Sequence, residues 1–405
     1  MLLGTITYDY NDTTSNTPCN KHKNFNERLS SMITEDITSR KTPLSHTQLG
    51  IYWECGRIGE GAYNMHYLYT LDESIDMERL ARAIEKTVQA HPYMEVRISD
   101  GQAGSLTQFI PETEEPYKQT VMKMSESEWQ KLLPRLAAEP LKLTGGRLFR
   151  FDLIETEQAK YMLRTTHHIA FDGTSHNILM NDIAAAYDGA ELTQETYNAL
   201  DIADEEAKLR DSTEYQNAEE WYKKHFSGLD TDSLPTPDNN EDDSRGLFIH
   251  SFMLSEDEIK TFCRENKIST SALTSAAFAI LMGIYTNQQE ALFSTIYHGR
   301  KKNTAGIIGM FVKTLPVYCR WDNEMRTADM LSSLSGQIKA SRDNDIFSFA
   351  DVNRICPMND KPLFAWYGTI RSNINVCGKP AHEDILDKNS MDVPLSDRKS
   401  TRLNS

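Results

Sequence analysis

The chain has 405 residues, 39% of them hydrophobic, which is enough to bury one large core or two medium ones. Its net charge of -16 argues against nonspecific binding to nucleic acid or to anionic lipid. The six cysteines are widely spaced and form no Cys-x-x-Cys pair, which favours a reducing compartment over a disulfide-stapled fold. The start shows no signal-peptide pattern, and the longest nearly apolar run, 272–285, is too short to cross a bilayer. We therefore expect a soluble, cytoplasmic protein.

The first half of the chain predicts a mixture of helices and strands. Residues 1–42 are polar and lack a sustained apolar period, so they predict a disordered leader before a folded region that begins near Pro43. Apolar residues at helical spacing predict a helix that is capped by Asp76 and ended by His91-Pro92. Four short segments rich in aromatic or branched residues predict strands: 65–70, 94–98, 147–154 and 160–166.

The second half repeats the α/β mixture after a proline-containing and acidic stretch, 234–243, which predicts a surface connection. The pattern beyond it predicts a strand, a helix from Ser255, a buried helix and two more strands. These last segments are 247–254 for the first strand, 272–285 for the buried helix, and 291–297 and about 311–317 for the later strands.

The densest group of polar residues, 166–175, contains His167 and His168 and connects a predicted strand to a predicted helix. Ser175 or Thr174 is expected to cap that helix. The helix N-terminus then supplies unpaired N–H groups and partial positive charge beside the histidines, an arrangement that suits a developing oxyanion. Gly173 is expected to allow a tight bend and the close approach of a substrate backbone, where any Cβ would obstruct.

The two adjacent histidines have two other interpretations, a pair without chemistry and a metal site. Adjacent histidines are often a solvated or core-packed pair without chemistry. A metal site is poorly supported, because neighbouring strand residues point to opposite faces and no third ligand with suitable spacing accompanies them. We therefore expect no metal. The sequence also lacks a Gly-x-Ser-x-Gly elbow and a Walker-type phosphate loop, which argues against a serine hydrolase and a nucleotide site.

The string His167-His168-x-x-x-Asp172-Gly173 resembles the HHxxxDG signature of condensation domains of nonribosomal peptide synthetases. Further strings follow in the family's order between residue 43 and about residue 370. These are Pro43-Leu44-Ser45-x-x-Gln48, Ala90-His91-Pro92-x-x-x-x-Arg97 (similar to RHExLRTxF), Pro140-Leu141-x-Leu143-x-Gly145-Gly146-x-Leu148-x-Arg150, and Ile308-Gly309-Met310-Phe311-Val312-Lys313-Thr314-Leu315-Pro316 (similar to VGxFVNTLP). The chain departs from these motifs at Tyr93 and Met94, and Lys313 stands where the family usually has Asn.

The resemblance implies an α/β fold of two lobes like chloramphenicol acetyltransferase. Each lobe would be a mixed sheet flanked by helices, and the two would form a V with a central tunnel. It divides the chain into the leader 1–42, an N-terminal lobe 43–215 with the HHxxxDG motif, and a C-terminal lobe 216–396. That second lobe is expected to be incomplete. Residues 397–405 match nothing in the family and are expected to form an unstructured tail, a possible artefact of sequence assembly.

The resemblance also implies roles for the motif residues. The candidate catalytic set is His168, His167, Asp172 and Gly173, in which His168 positions the attacking amine and His167 makes a structural hydrogen bond. Asp172 is expected to form a buried salt bridge with Arg300, although Arg300 could instead be a solvated surface cation. The residues expected along the tunnel and its motifs are Ser175, Gly309, Phe311 and Thr314.

The implied reaction is amide formation between a donor thioester and the amine of an acceptor thioester. Both substrates would ride on the 4′-phosphopantetheine arms of peptidyl or acyl carrier protein domains, so no cofactor is expected on this chain itself. The expected context is a monomeric unit beside an adenylation domain in a multidomain synthetase, with no nucleic acid or membrane partner. Three alternatives stay open: an epimerization domain of the same family, which the 311–316 motif argues against, a coenzyme A acyltransferase, and a non-catalytic truncated docking module.

Overall fold

The structure is a computed structural model, and it describes residues 40–101, 105–112, 115–229, 231, 255–358, 361–370, 374–386 and 396–402. Its strands are β1 (Thr42–Pro43), β2 (Asn64–Leu71), β3 (Arg97–Asp100), β4 (Leu106–Phe109), β5 (Val121–Lys123), β6 (Phe149–Glu155), β7 (Lys160–His167), β8 (Glu290–Tyr297), β9 (Lys313–Arg320), β10 (Leu363–Ile370), β11 (Asn375–Val376), β12 (Lys379–Pro380), β13 (His382–Ile385) and β14 (Ser396–Arg402). Its helices are α1 (His46–Ile58), α2 (Met77–Ala90), α3 (Glu126–Ala138), α4 (Gly173–Tyr187), α5 (Ala199–Leu209), α6 (Thr213–Phe226), α7 (Glu256–Glu265), α8 (Thr270–Thr286), α9 (Thr327–Asp343) and α10 (Phe349–Ile355). The predicted strand 247–254 lies outside the described residues.

A five-stranded sheet in the order β13-β2-β7-β6-β5 forms the base of the first half. Strand β7 lies at its centre and pairs antiparallel with both β2 and β6. One face packs on α2 and α4 through residues such as Tyr69, Phe149 and Leu179, and the other face packs on α3 through the buried Trp129. Because both faces are covered, β7 is buried from Met162 onwards, and its last residue, His167, lies in the protein interior.

Helix α2 forms where the sequence predicts it. The Asp76 carboxylate accepts the Arg79 N–H at 3.0 Å, which caps the first turn. Its apolar face buries Leu80, Ile84 and Val88 in the main core, and burial of one such side chain typically contributes about 1.5–3 kcal/mol. The prediction of this helix is confirmed, and the stripe of core contacts explains its stability better than helix propensity does.

The second sheet has the order β14-β10-β8-β9. Alternate residues of β8 point to opposite sides, as a strand requires. Phe293 packs with α8 and α9, whereas Leu292 packs with Tyr222 of α6 and Val352 of α10. The structure thus confirms the predicted helix 272–285 and strand 291–297 as α8 and β8, with slightly wider bounds. No single helix in the described ranges is long and apolar enough to cross a membrane, although α7 and α8, bent by 98°, pass that test when joined.

Three boundaries differ from the sequence predictions. Folded structure includes Arg40, which pairs with Asp201 and Asp204 of α5, and the fully buried Thr42, so the leader ends earlier than residue 42. The predicted strand 94–98 is displaced, because Pro92 starts a 3-10 turn over Pro92–Glu95 and the strand begins only at Arg97. The predicted lobe boundary at 215/216 falls inside α6, whose buried residues pack with the second sheet.

The C-terminal segment also differs from the prediction. Strand β13 pairs antiparallel with β2, so part of the range assigned to the second lobe completes the first sheet. Residues 396–402 form β14 and pair in parallel with β10. All of them except Ser396 belong to the range 397–405 that was predicted to be an unstructured tail. The prediction of an unstructured tail is therefore wrong for residues 397–402. Main-chain hydrogen bonds carry strand pairing, so a polar segment can join a sheet edge that its side-chain pattern does not reveal.

Candidate active site

The HHxxxDG string connects the end of β7 to the start of α4. Asp172 caps this helix, and its Oδ1 accepts the Ser175 N–H at 2.8 Å. The prediction of Ser175 or Thr174 as the cap is therefore wrong. A carboxylate three residues before the donating N–H satisfies that donor and also complements the helix dipole. The same contact corrects the expected oxyanion site, because Asp172 already occupies the Ser175 N–H and places negative charge at the helix end.

Asp172 is almost fully buried and both of its carboxylate oxygens are engaged. Oδ1 also accepts from Arg300 Nη2 at 2.7 Å, and Oδ2 accepts the Phe311 N–H at 3.2 Å. Arg300 is buried as well, and its Nη1 donates to the carbonyls of Thr304 and Ile307, each at 2.7 Å. The interpretation of Arg300 as a solvated cation is therefore wrong, since its side chain is only 5% exposed.

Ser175 extends this network across the two halves of the fold. Its hydroxyl accepts the Gly309 N–H at 2.9 Å, accepts from Arg300 Nη2 at 2.8 Å, and donates to the Gly309 carbonyl at 2.7 Å. A Cβ on Gly309 would lie 2.6 Å from the Phe311 ring and 2.9 Å from Ala199 Cβ, so only glycine fits without movement. Ser175 and Gly309 therefore hold the motif loop against α4, and their polar groups are occupied.

His167 is fully buried and its ring is fixed by its neighbours. Its Nδ1 accepts the Ile169 N–H at 3.1 Å, and its Nε2 lies 3.8 Å from Cys55 Sγ of α1. Burial lowers the pKa of His167 to about 4, against an opposing effect of the Glu60 carbonyl, so the ring is neutral near pH 7. Its contacts are those of a side chain that fixes the strand end.

His168 differs from its neighbour because its Nε2 has no hydrogen bond from any described residue, whereas its Nδ1 is buried. Its main-chain N–H donates to the Tyr63 carbonyl at 2.8 Å, which fixes the backbone. The ring is partly buried, and among the described residues no hydrogen bond of good geometry reaches Nδ1. Burial lowers the pKa of His168, while its own carbonyl, Asp172 and the Phe171 carbonyl oppose that shift. A neutral imidazole with an available nitrogen can accept a proton or a hydrogen bond.

Gly173 is the last residue of the HHxxxDG string, lies at the first position of α4 and is exposed. Its φ is not positive, so the expected tight bend is not the reason for glycine here. A Cβ at this position would meet no described protein atom within 4 Å. The open space next to it leaves room for a close approach by another molecule.

The two remaining predicted residues occupy different surroundings. Phe311 places its ring 4.6 Å from the Arg300 guanidinium and also lines a cavity of about 150 Å³. Thr314 is half-buried on β9, where it pairs with Ile296 of β8. Neither Ser175, Gly309 nor Thr314 is among the described residues that line that cavity.

The cavity also shows how the chain accommodates Lys313. Lys313 Nζ lies 3.2 Å from Glu206 Oε2, and Glu206 Oε1 accepts the His46 N–H at 2.6 Å. The Lys313 charge helps to keep the pKa of Glu206 low against the opposite effect of burial. Lysine at a position that resembles the family's asparagine is therefore neutralised by a carboxylate of α5. The sequence showed the departure but not this partner, which lies 107 residues away.

Two further residues lie near the motif: the buried Arg164, which the sequence analysis missed, and the half-buried His176, for which a half-exposed position on the helix was favoured over a place along the channel. Arg164 of β7 is fully buried, and its guanidinium lies 4.2 Å from the Tyr67 ring centroid. His176 of α4 stacks on that same Tyr67 ring at 5.1 Å. The available signal was an arginine inside a strand that is otherwise largely apolar. In the ranges the structure describes, no group of three or more His, Cys, Asp or Glu side chains is arranged to hold a metal ion.

Comparison with protein families and solved structures identifies the class. The sequence model described as "Condensation domain" matches residues 38–394. The chain therefore belongs to the condensation domain family, and its relatives place it among the condensation domains of nonribosomal peptide synthetases.

The sequence relatives are much longer proteins. The chain is 25% identical over 326 residues to chondramide synthase cmdD of Chondromyces crocatus, a match that covers 73% of this chain and 8% of that protein. It is 26% identical over 283 residues to tyrocidine synthase 3 of Brevibacillus parabrevis, covering 67% of this chain and 4% of that protein. The chain thus spans less than a tenth of the length of either relative.

Three solved structures share the fold of this chain at low sequence identity. The condensation domain of the Monacolin K polyketide synthase MokA aligns with a TM-score of 0.73 and 14% identity over 90% of both chains. The first condensation domain of the calcium-dependent antibiotic synthetase aligns with a TM-score of 0.66 and 17% identity over 85% of this chain and 84% of that one. The X-domain bound to OxyB from teicoplanin biosynthesis aligns with a TM-score of 0.68 and 16% identity over 88% and 83%. The fold is that of condensation domains, like chloramphenicol acetyltransferase.

Proposed function

We propose that this domain forms an amide bond between a donor acyl or peptidyl thioester and the amine of an acceptor aminoacyl thioester. Both substrates would be carried on 4′-phosphopantetheine arms of carrier protein domains. The observation that carries the proposal is His168, a neutral and partly exposed imidazole whose Nδ1 is buried beside main-chain carbonyls and whose Nε2 has no hydrogen bond from any described residue. The carboxylate oxygens of Asp172 and the Nδ1 of His167 are already engaged.

The reaction needs one group that can handle a proton. The acceptor amine attacks the donor carbonyl, a C–N bond forms, the C–S bond breaks, and the amine proton passes to the leaving thiolate. His168 can accept a hydrogen bond from the amine and orient it, and it can receive the proton for transfer to sulfur. General-base assistance typically contributes about 10²–10⁴-fold. Alignment of two tethered reactants can supply effective molarities of about 10⁵–10⁸ M, so positioning is the larger effect.

The network behind His168 provides this positioning. Asp172, Ser175 and Arg300 complete one another's hydrogen bonds and tie the end of β7 to the 300–311 loop. Asp172 therefore acts as a positioning residue through the loop, and its carboxylate oxygens are not available as a base. The exposed, unobstructed Gly173 leaves space beside His168 for a substrate.

The proposed partners follow from the relatives. Chondramide synthase and tyrocidine synthase 3 are multidomain proteins that contain a region like this chain. By that comparison, the partners would be peptidyl or acyl carrier domains and an adjacent adenylation domain, and phosphopantetheine would arrive on the carriers. A docking role is the second candidate, because a structure with this fold is an X-domain in a complex with OxyB.

Intact-mass analysis tests the proposal. Two loaded carrier proteins are incubated in deuterated water with this chain, with its His168→Ala variant, and with the control His225→Ala, which removes an exposed histidine of α6. We expect the acceptor to gain the donor acyl mass, and we expect the rate to fall by about 10²–10⁴-fold in His168→Ala only.

Each other outcome has a defined meaning. A one-deuteron mass shift without acyl transfer would identify an epimerization domain. Carrier binding without any mass change, equal in all three proteins, would favour the docking role. Full condensation activity in His168→Ala would overturn the assignment of His168.

A further inference from the structure

Arg164 is a fully buried arginine in the centre of the first sheet. Among the described residues, its Nε, Nη1 and Nη2 have no hydrogen-bond partner. The Cζ atom of its guanidinium lies over the Tyr67 ring, 4.2 Å from the ring centroid. Arg300 is buried to a similar extent but donates four hydrogen bonds. An ionised side chain is among the most costly groups to bury without an acceptor. The fold therefore keeps Arg164 at a cost that its internal contacts do not offset.

The position of Arg164 on β7 relates it to the proposed active site. Alternate residues of a strand point to the same face, so Arg164 and Thr166 follow one another along one side of β7, and His168 comes directly after the end of that strand. Buried polar atoms without a partner occur at all three, since Thr166 Oγ1 and His168 Nδ1 are also unpaired within the described ranges. Three residues, 165–167, separate Arg164 from His168, so the two Cα atoms are at most about 13 Å apart, the length of four fully extended steps.

His176 faces the same row from α4. Its ring stacks on Tyr67 with an interplanar angle of 17°, and its buried Nδ1 also has no partner in the described part of the chain. Burial and, to a smaller extent, the charge of Arg164 lower the pKa of His176 to about 3, so the ring is neutral. The group formed by Arg164, Thr166, His168 and His176 thus contains one positive charge and neutral polar side chains. No described carboxylate forms an ion pair with Arg164.

We propose that Arg164 is a specificity-determining residue that binds a carboxylate group on the acyl or aminoacyl moiety of the substrate. A guanidinium can donate two parallel hydrogen bonds to a carboxylate, and such charge-assisted bonds are strong in a buried site. Thr166 and His176 can complete the binding of the remaining oxygen lone pairs. The inference rests on the proposed function, because it takes His168 as the site of the reacting amine.

A binding experiment with the full chain tests this directly and requires no turnover. The probes are non-transferable pantetheine amides, measured by isothermal titration calorimetry. The donor arm compares glutaryl-pantetheine amide with its terminal carboxamide, and the acceptor arm compares the glutamyl and glutaminyl derivatives. In one arm, we expect the carboxylate probe to bind at least about tenfold more tightly than its amide. The arm that shows the preference identifies which substrate carries the carboxylate.

Two variants separate recognition from folding. Arg164→Met keeps much of the side-chain volume and removes the charge, and we expect it to abolish the carboxylate preference and to raise the melting temperature. The control, Arg150→Met, removes an arginine of the adjacent strand β6 that is already paired with Asp152 and Glu139. It should leave the preference intact and should not raise the melting temperature.

Three results would overturn the inference: equal affinity for carboxylate and amide in both arms, a preference that survives in Arg164→Met, or a lower melting temperature for that variant. None of them bears on amide formation, which the mass assay with neutral substrates measures separately. Conversely, a carboxylate preference in a chain that forms no amide would leave the binding site standing and remove the proposed reaction.

Discussion

Two groups of buried polar side chains flank the motif, and they differ in how their hydrogen bonds are completed. In the first group, the Asp172 carboxylate, the Ser175 hydroxyl and both terminal nitrogens of Arg300 are hydrogen-bonded to one another and to the main chain of the 300–311 loop, and only Arg300 Nε lacks a partner among the described residues. In the second group, Arg164, Thr166, His168 and His176 each retain at least one buried polar atom without a partner among the described residues. Both groups touch the same strand end, so burial alone does not distinguish them.

The difference assigns separate tasks to the two groups. A complete network has one low-energy arrangement and therefore holds the loop rigidly. An incomplete set is costly in the free protein and is compensated only if a ligand supplies the missing partners. The adjacent histidines show the same contrast, because the His167 ring is fixed by Ile169 and Cys55 whereas no described residue donates a hydrogen bond to the His168 ring or accepts one at Nδ1 with good geometry.

The largest expected effect comes from breaking the complete network at its centre. Asp172→Ala would leave the Arg300 charge buried without its carboxylate partner and would remove the acceptor of the Ser175 and Phe311 N–H groups. Removal of one member of a buried ion pair typically costs about 3–5 kcal/mol, and we expect urea denaturation to show a loss of that size.

Asp329→Ala is the control for that experiment, because it breaks an ion pair with Arg326 that is largely exposed to solvent. Its stability should stay close to that of the unmodified chain. Loss of activity in Asp172→Ala without any loss of stability would instead give Asp172 a direct chemical role.

A smaller effect is expected from overpacking the same network. Gly309→Ala would force its Cβ against the Phe311 ring and Ala199, and a clash of this kind typically costs about 1–3 kcal/mol. The matched control is Gly306→Ala in the same loop, where a Cβ would meet no described atom within 4 Å and φ is not positive. Equal stability of the two variants would show that the loop moves freely and that the network is not rigid.

Much of the fold could be predicted from local pattern. Helix α2 has a cap and an apolar face in its sequence, and β8 has a run of branched and aromatic residues, so both were predicted nearly to their ends. The HHxxxDG string was sufficient to find the strand end, since the chemistry there depends on residues close together in sequence. Strand β14 was missed because its pairing depends on main-chain groups, which polar side chains do not signal.

The site could be predicted only in part, because its contacts join distant segments. A cap for α4 was expected, but the choice of Asp172 over Ser175 depends on Gly309, which engages the Ser175 hydroxyl from 134 residues away. The sequence could not predict that the Arg164 guanidinium lacks a hydrogen-bond partner among the described residues, because a sequence shows which residues are charged but not which side chains lie next to them. The pairing of Asp172 with Arg300 was predicted from the resemblance to condensation domains, because the spacing of the two residues in the sequence does not indicate that they meet.

The smallest expected effect concerns the pH dependence of the incomplete group. The folded-state pKa of His176 is about 3, below its unfolded value near 6.5. Its contribution to stability is therefore complete above pH 6.5 and declines as the pH falls towards 3, because the unfolded chain binds a proton that the folded chain excludes. One such proton changes the free energy of unfolding by at most about 1.4 kcal/mol per pH unit.

His176→Phe keeps a ring against Tyr67 and removes this titration. Urea denaturation at pH 6.5 and 5.5 should show a smaller loss of stability in the variant than in the unmodified chain. His225→Phe, which replaces an exposed histidine, should keep the original loss. An unchanged pH dependence in His176→Phe would mean that the imidazole can gain its proton in the folded protein, and hence that an acceptor reaches it beside Arg164. The open row next to His168 would then be as complete as the network around Asp172, and the contrast between them would no longer hold.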